Sequence, residues 1–209
     1  MVRDGIYYGV GFGVTGFLAA VWLGPLAAVP LLGVAAFCMY FFRDPDRSIP
    51  PGPVAVAPAD GKVTHIRDLG DGASRVSVFL NIFDVHVNRV PVSGVVTSVE
   101  YRKGSFKLAH LEDASTQNEQ NSVTIEDGTM RVTVKQIAGL IARRILCDKR
   151  VGDEVRKGER FGLIKFGSRV DIYLGPEWDL SVGIGDKVRG GSSVLAHKRS
   201  EDPAGSFAS

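Results

Sequence analysis

From Val10 through Phe42 the chain carries no charged residue, and Gly, Ala, Leu, Val and Phe supply most of the stretch. A helix on the surface of a soluble domain keeps a polar face, so this segment belongs in a bilayer or at the centre of a core. Gly24-Pro25 and then Pro30 interrupt it, leaving Val10 to Leu23 and about Leu26 to Phe42 as helical pieces. At 1.5 Å rise per residue these are about 21 and 26 Å long, against about 30 Å of bilayer hydrocarbon. A hairpin that dips into or just crosses the membrane fits those lengths, as does one long kinked helix. Arg3 precedes the run and Arg43 and Arg47 follow it. The positive-inside bias then puts both ends on the cytosolic side, which favours the hairpin. No small-residue cleavage region follows, which argues against a secretory signal. The expectation is a membrane anchor over residues 1–43 at the cell membrane, with the remainder on the cytoplasmic side. A buried hairpin of a soluble protein is the alternative.

The remaining length accommodates one domain, and 44% hydrophobic residues suffice for a core. Lys+Arg at 25 against Asp+Glu at 23 gives a charge of +2, too balanced for a phosphate-backbone binder, so nucleic acid is excluded as a partner. Cys38 and Cys147 lack C-x-x-C spacing and nearby histidine ligands. They imply a reducing compartment and no cysteine-built zinc site.

Pro45, Pro50, Pro51 and Pro53 make Asp44 to Pro53 a linker, because each removes a donor and fixes φ. A β-rich domain is expected over 44–199, with strands at Lys62 to Ile66, Arg75 to Leu80, Gly94 to Val99, Ser122 to Ile125, Met130 to Val134 and Val170 to Leu174. Each is a β-branched run bounded by turn residues. Gln136 to Leu146 reads as an apolar-periodic helix, with a strand nearly as good. The polar tail 200–209 is expected to be disordered.

Val151-Gly-Asp-Glu-Val-Arg-Lys-Gly158 repeats as Ile184-Gly-Asp-Lys-Val-Arg-Gly-Gly191, and Pro58 to Val63 is a weaker echo of Pro91 to Val96. Repeated turn units suggest a quasi-symmetric fold: mainly β (α+β), a flattened barrel-sandwich that resembles lipoyl and biotinyl carrier domains, with an N-terminal hydrophobic helical hairpin. No lysine occupies an exposed Met-Lys-type hairpin tip, which counts against a carrier role. The second repeat runs into Gly190-Gly-Ser-Ser193, which by itself reads as a hairpin corner.

Six blocks together say more. Phe41-Phe-Arg-Asp-Pro-Asp-Arg47, Ala57-Pro-Ala-Asp-Gly-Lys-Val63, Phe83-Asp-Val-His-Val-Asn-Arg-Val-Pro91, Asn118-Glu-Gln-Asn121, Phe161 to Asp171 and Gly190 to Ser193 resemble, in order and over nearly the whole chain, the short prokaryotic form of phosphatidylserine decarboxylase. The resemblance implies a proenzyme that cuts itself between Gly191 and Ser192. Its large and small chains stay associated, and Ser192 becomes a covalent pyruvoyl cofactor. It further implies conversion of phosphatidylserine to phosphatidylethanolamine and CO₂ through a Schiff base with the headgroup amine, without pyridoxal or metal. The partners implied are the phospholipid substrate and the membrane; homo-oligomerisation stays open.

Ser192 needs a base. His86 lies in the block that supplies a catalytic histidine, and Asp60 of the Pro-Ala-Asp-Gly turn could orient it, giving an Asp60-His86-Ser192 arrangement. Longer members carry His-x-x-His here, whereas this chain has Arg89 at the second position. His65, His110 and His197 have no matching context. Arg43 and Arg47 are candidates for the substrate phosphate, with Arg102, Lys103 and Lys107 behind them, and Asn118 to Asn121 receives no mechanistic role. Two other functions fit parts of the chain: a pyruvoyl decarboxylase of another amino-containing substrate, and a non-enzymatic lipoyl-like module of a membrane assembly.

Overall fold

A computed structural model of the chain describes residues 3–105, 117–128, 130–139, 144–165 and 167–199. Two helices, α1 (Arg3–Leu23) and α2 (Pro25–Phe41), precede the strands β1 (Val54–Val56), β2 (Gly61–Gly70), β3 (Ala73–Leu80), β4 (Val87–Arg89), β5 (Gly94–Arg102), β6 (Gln120–Asp127) and β7 (Met130–Ile137). Then come β8 (Ile145–Cys147), β9 (Glu154–Val155), β10 (Arg160–Ile164), β11 (Ser168–Leu174), β12 (Trp178–Leu180), β13 (Lys187–Val188) and β14 (Val194–Lys198). The six expected strands all lie within these elements. The Gln136 to Leu146 segment is strand at both described ends, in β7 and β8; its centre, with His110, Lys107 and the tail 200–209, lies outside the described residues.

The hairpin is the arrangement adopted. Gly24 reverses the chain at φ 97°, which a residue with a Cβ rarely adopts. The glycines of α1 let α2 approach closely: a Cβ on Gly9 would lie 2.8 Å from Met39 Cγ. The second interruption expected at Pro30 is absent, because α2 runs through that proline. Pro30 lies close behind Pro25 near the start of α2, where it removes one i→i−4 bond without ending the helix.

The tip is uncovered, with Trp22, Leu23 and Leu26 at 82, 78 and 85% exposed. By length and composition α1 is long and apolar enough to cross a membrane. The open end of the hairpin is tied to the β unit by Asp4, 2.7 Å from Lys165, and by Phe41 and Phe42, which pack with Val85, Val87 and Leu163.

The largest sheet has the order β13-β2-β3-β11-β7-β6-β5-β9, flanked by two three-stranded sheets, β1-β14-β12 and β4-β10-β8. This is a duplication about the β11–β7 pair: β13, β2, β3 and β11 mirror β9, β5, β6 and β7, while β1, β14 and β12 mirror β4, β10 and β8. Hydrogen bonds repeat with it. Gly152 and Gly185 donate to Val96 and Val63, each at 2.8 Å, and Val96 and Val63 donate back to Asp153 and Asp186. Across the centre Val56 donates to Pro91 O and Arg89 donates to Pro58 O. The first half is continuous from β4 to β10, whereas the second is assembled from β1–β3 and β11–β14. Chain ends far apart in sequence therefore meet, which brings residues 57–60 against residues 189–193.

Candidate active site

Arg189 to Ser193 forms a tight turn. Arg189 O accepts from Ser192 N–H at 3.0 Å and Ser193 N–H at 2.9 Å, and Arg189 N–H donates to Ser193 Oγ at 2.9 Å. Gly191, third in the turn, has φ 79°, the left-handed conformation that a type II turn requires there. A Cβ on Gly191 would also lie 2.8 Å from Arg89 Cδ and 3.3 Å from Ile49 Cδ1, so any other residue there would meet both a strained φ and a crowded neighbour. Ser192 is half-buried, and among the described residues its hydroxyl makes no hydrogen bond.

Asp60 holds the turn directly. Its Oδ1 accepts from Gly190 N–H at 2.8 Å and its Oδ2 from Arg47 Nη2 at 2.9 Å. Gly61, next in the chain, lies so close to Phe79 O that no Cβ fits, which fixes the loop carrying Asp60. Arg47 reaches Asp60 from the connector, with its Nε buried and without a hydrogen bond. Arg89 binds Asp44 at 2.8 Å, Pro45 O at 3.1 Å and Gly158 O at 3.0 Å, and Asp44 also pairs with Arg160. Arg89 is thus a strut that clamps the connector onto both duplicated turns.

His86 differs from expectation in both ring partners: among the described residues neither Asp60 nor Ser192 is hydrogen-bonded to it. Its Nδ1–H donates to Asp84 O at 2.9 Å, and Nε2 is buried with no hydrogen bond. Asp60 therefore does not orient the ring, because its two oxygens are taken by Gly190 and Arg47 and a main-chain carbonyl two residues before His86 does so instead. His86 is 0% exposed and its ring lies tilted by 36° against Phe41, with centroids 4.3 Å apart. Burial pushes its pKa down to about 4, so at neutral pH Nε2 carries a lone pair able to take a proton. Burial also raises the pKa of Asp84, and Asp60 adds to that by repulsion.

Of the basic candidates, Arg43 stacks on Tyr40 at 3.9 Å and donates to Phe83 O at 2.6 Å. Arg102 and Lys103 are exposed at the far end of β5 from Gly94. His65 lies on β2 beside Thr64, and His197 is exposed on β14. Asn118 and Asn121 are buried hydrogen-bonders, to Ala138 O at 2.8 Å and Gln136 Oε1 at 3.0 Å. What residues 41–49 contribute is visible only in the fold: Phe41, at the end of α2, packs against His86, and from the connector Arg47 binds Asp60 and Ile49 covers Gly191. The block Phe41 to Arg47 was the only signal of it.

A free serine hydroxyl beside the carbonyl of a left-handed glycine supplies the reacting parts for an intramolecular acyl shift, by which a chain opens its own backbone. Fold and turn thus define a β-rich protein that carries a tight Gly-Ser turn. Comparison with known proteins supplies the family. The profile for phosphatidylserine decarboxylase matches residues 34–196. The phosphatidylserine decarboxylase proenzyme of Solibacter usitatus (strain Ellin6076) is 55% identical over 95% of this chain and 97% of its own length. That of Syntrophus aciditrophicus (strain SB) is 45% identical over 93% and 96%, and that of Rickettsia akari (strain Hartford) 42% over 93% and 88%. The chain belongs to the phosphatidylserine decarboxylase family and is a decarboxylase made as a proenzyme.

Proposed function

We propose that this chain cuts itself between Gly191 and Ser192, converts Ser192 into a pyruvoyl group, and with it converts phosphatidylserine to phosphatidylethanolamine and CO₂ at the cytoplasmic face of the cell membrane. The observation that carries the reading is the Arg189 to Ser193 turn, with Gly191 at φ 79° and the Ser192 hydroxyl unbonded among the described residues.

Ser192 Oγ attacks the Gly191 carbonyl, the C–N bond breaks, and an ester replaces the peptide bond. Removal of the Ser192 α-proton expels the Gly191 carboxylate and leaves dehydroalanine at the new N-terminus. Its enamine tautomerises to an imine, and water hydrolyses that to a ketone and ammonia. His86 is the base that takes the hydroxyl proton; Asp60 positions the turn through the Gly190 amide. The pyruvoyl group made from Ser192 would supply a carbonyl for the substrate amine and a sink for the electrons released with CO₂. Arg43 and Arg47, at the foot of the apolar hairpin, are the candidates to meet the lipid phosphate.

The cut leaves residues 192–209 as the small chain. Its strand β14 lies between β1 and β12 in a three-stranded sheet, and Leu195 and Ala196 are fully buried, so the two chains stay together. Intact-mass measurement of purified protein tests the reading. The expected result is a large chain ending at Gly191 and a small chain whose first residue is pyruvoyl in place of serine; a single species of 22.5 kDa would overturn it.

His86→Ala is expected to slow the cut by about 10²- to 10⁴-fold, the usual worth of a positioned base. Because burial holds the His86 pKa near 4, the neutral base persists well below the ordinary histidine range. The rate of maturation should stay level from pH 8 to about pH 5 and fall only as pH approaches 4. A fall centred near pH 6.5, or normal processing of His86→Ala, would remove His86 from this role.

A further inference from the structure

The two duplicated turns differ by one residue. In the first, Gly158 N–H donates to Val90 O at 2.8 Å, and Val90 N–H donates at 2.7 Å to the very next residue, Glu159. This is a bulge with a left-handed glycine, Gly158 having φ 81°. In the second, Gly191 N–H donates to Ala57 O at 2.8 Å, but Ala57 N–H passes over Ser192 and donates at 2.8 Å to Ser193. Strand register repeats the offset. Arg160, two residues after Gly158, pairs with Arg89, whereas Val194, three after Gly191, pairs with the equivalent Val56.

The side chains agree. Glu159 accepts from Arg156 N–H at 2.9 Å, and Ser193 Oγ accepts from Arg189 N–H at the same distance. Ser93 Oγ accepts from Lys157 N–H at 2.9 Å where Asp60 accepts from Gly190 N–H at 2.8 Å. Ser193 is thus the counterpart of Glu159, and Ser192 has no counterpart.

We infer that self-cleavage is specified by this one-residue insertion, and that Ser193 is a positioning residue that holds it open; the inference rests on the Gly191–Ser192 reading above. Through its carbonyl and its side-chain oxygen Ser193 repeats the bonds of Glu159 to Val90 N–H and Arg156 N–H, whereas the Glu159 ion pair with Lys149 has no counterpart. Ser192 is thereby excluded from the ladder, its hydroxyl left free beside the Gly191 carbonyl. A Gly-Ser pair is not sufficient: the serine has to be the surplus residue of the bulge.

Removing one serine from the full-length chain tests this, since the product reads Gly-Gly-Ser-Val whichever serine is lost. The remaining serine then takes the place of Glu159, a geometry the fold already contains. The expected product is folded, with a cooperative melt, and stays uncut at full length. Cutting of that folded chain at the wild-type rate would overturn the inference. Should the shortened chain fail to fold, Ser193→Ala keeps the length: its cut is expected to be about tenfold slower, the order of one lost hydrogen bond, and Ser193→Thr should restore the rate. Wild-type speed in Ser193→Ala, or no rescue by Ser193→Thr, would equally overturn it. A wild-type chain that never cuts refutes the earlier reading, whereas a cut wild type with an equally cut shortened chain refutes only this one.

Discussion

Ser192→Ala is expected to leave the whole chain uncut at about its full 22.5 kDa and without decarboxylase activity. Alanine keeps the turn, since Arg189 O still accepts from the residue-192 amide and Gly191 keeps its left-handed φ. It supplies no nucleophile, no ester and no precursor of the ketone, so the loss is complete rather than partial. Denaturing gels with intact mass check the cut, and CO₂ release from phosphatidylserine checks the activity. Appearance of a short fragment beginning at residue 192 would mean that the hydroxyl of Ser192 is not the attacking group. A fragment beginning one residue later would move that role to Ser193.

Removing residues 1–38 is expected to release the protein from membranes and lower turnover of bilayer phosphatidylserine by about 10²-fold, the order by which tethering raises effective concentration. Self-cleavage should continue. The substrate stays in the bilayer because withdrawing acyl chains costs about 0.8 kcal/mol per CH₂, so the enzyme has to come to it. The cut is placed at 38 because Phe41 and Phe42 are nearly fully buried and Phe41 packs against the ring of His86. Truncation through residue 42 should therefore impair maturation as well. Flotation with vesicles, chain mass and activity on bilayers and on detergent-dispersed substrate separate these effects. Full bilayer activity in the shorter truncation would show that the hairpin is no anchor, and failure of that chain to cut would make the hairpin part of the processing core.

The apolar hairpin was legible because an uncharged run is a property of composition, independent of what surrounds it. The strands were legible for a related reason: β-branched residues between Gly, Pro and Asp favour extended backbone locally. The duplication could be read from five matched positions in Val151 to Gly158 and Ile184 to Gly191, and the resemblance carried by six blocks indicated the Gly-Ser turn. What Asp60 binds was not legible. It lies 130 positions from Gly190, and a carboxylate is claimed by whichever donors the tertiary packing delivers at hydrogen-bonding distance. Arg89 looked like a departure from a pattern, and only the fold shows it clamping Asp44 and closing over Gly191. Nor could the sequence say which serine is the extra one, because the repeat it displays ends at the glycine. That assignment belongs to the pairing of β14 with β1 and of β10 with β4, where inter-strand hydrogen bonds count residues that side-chain identity does not.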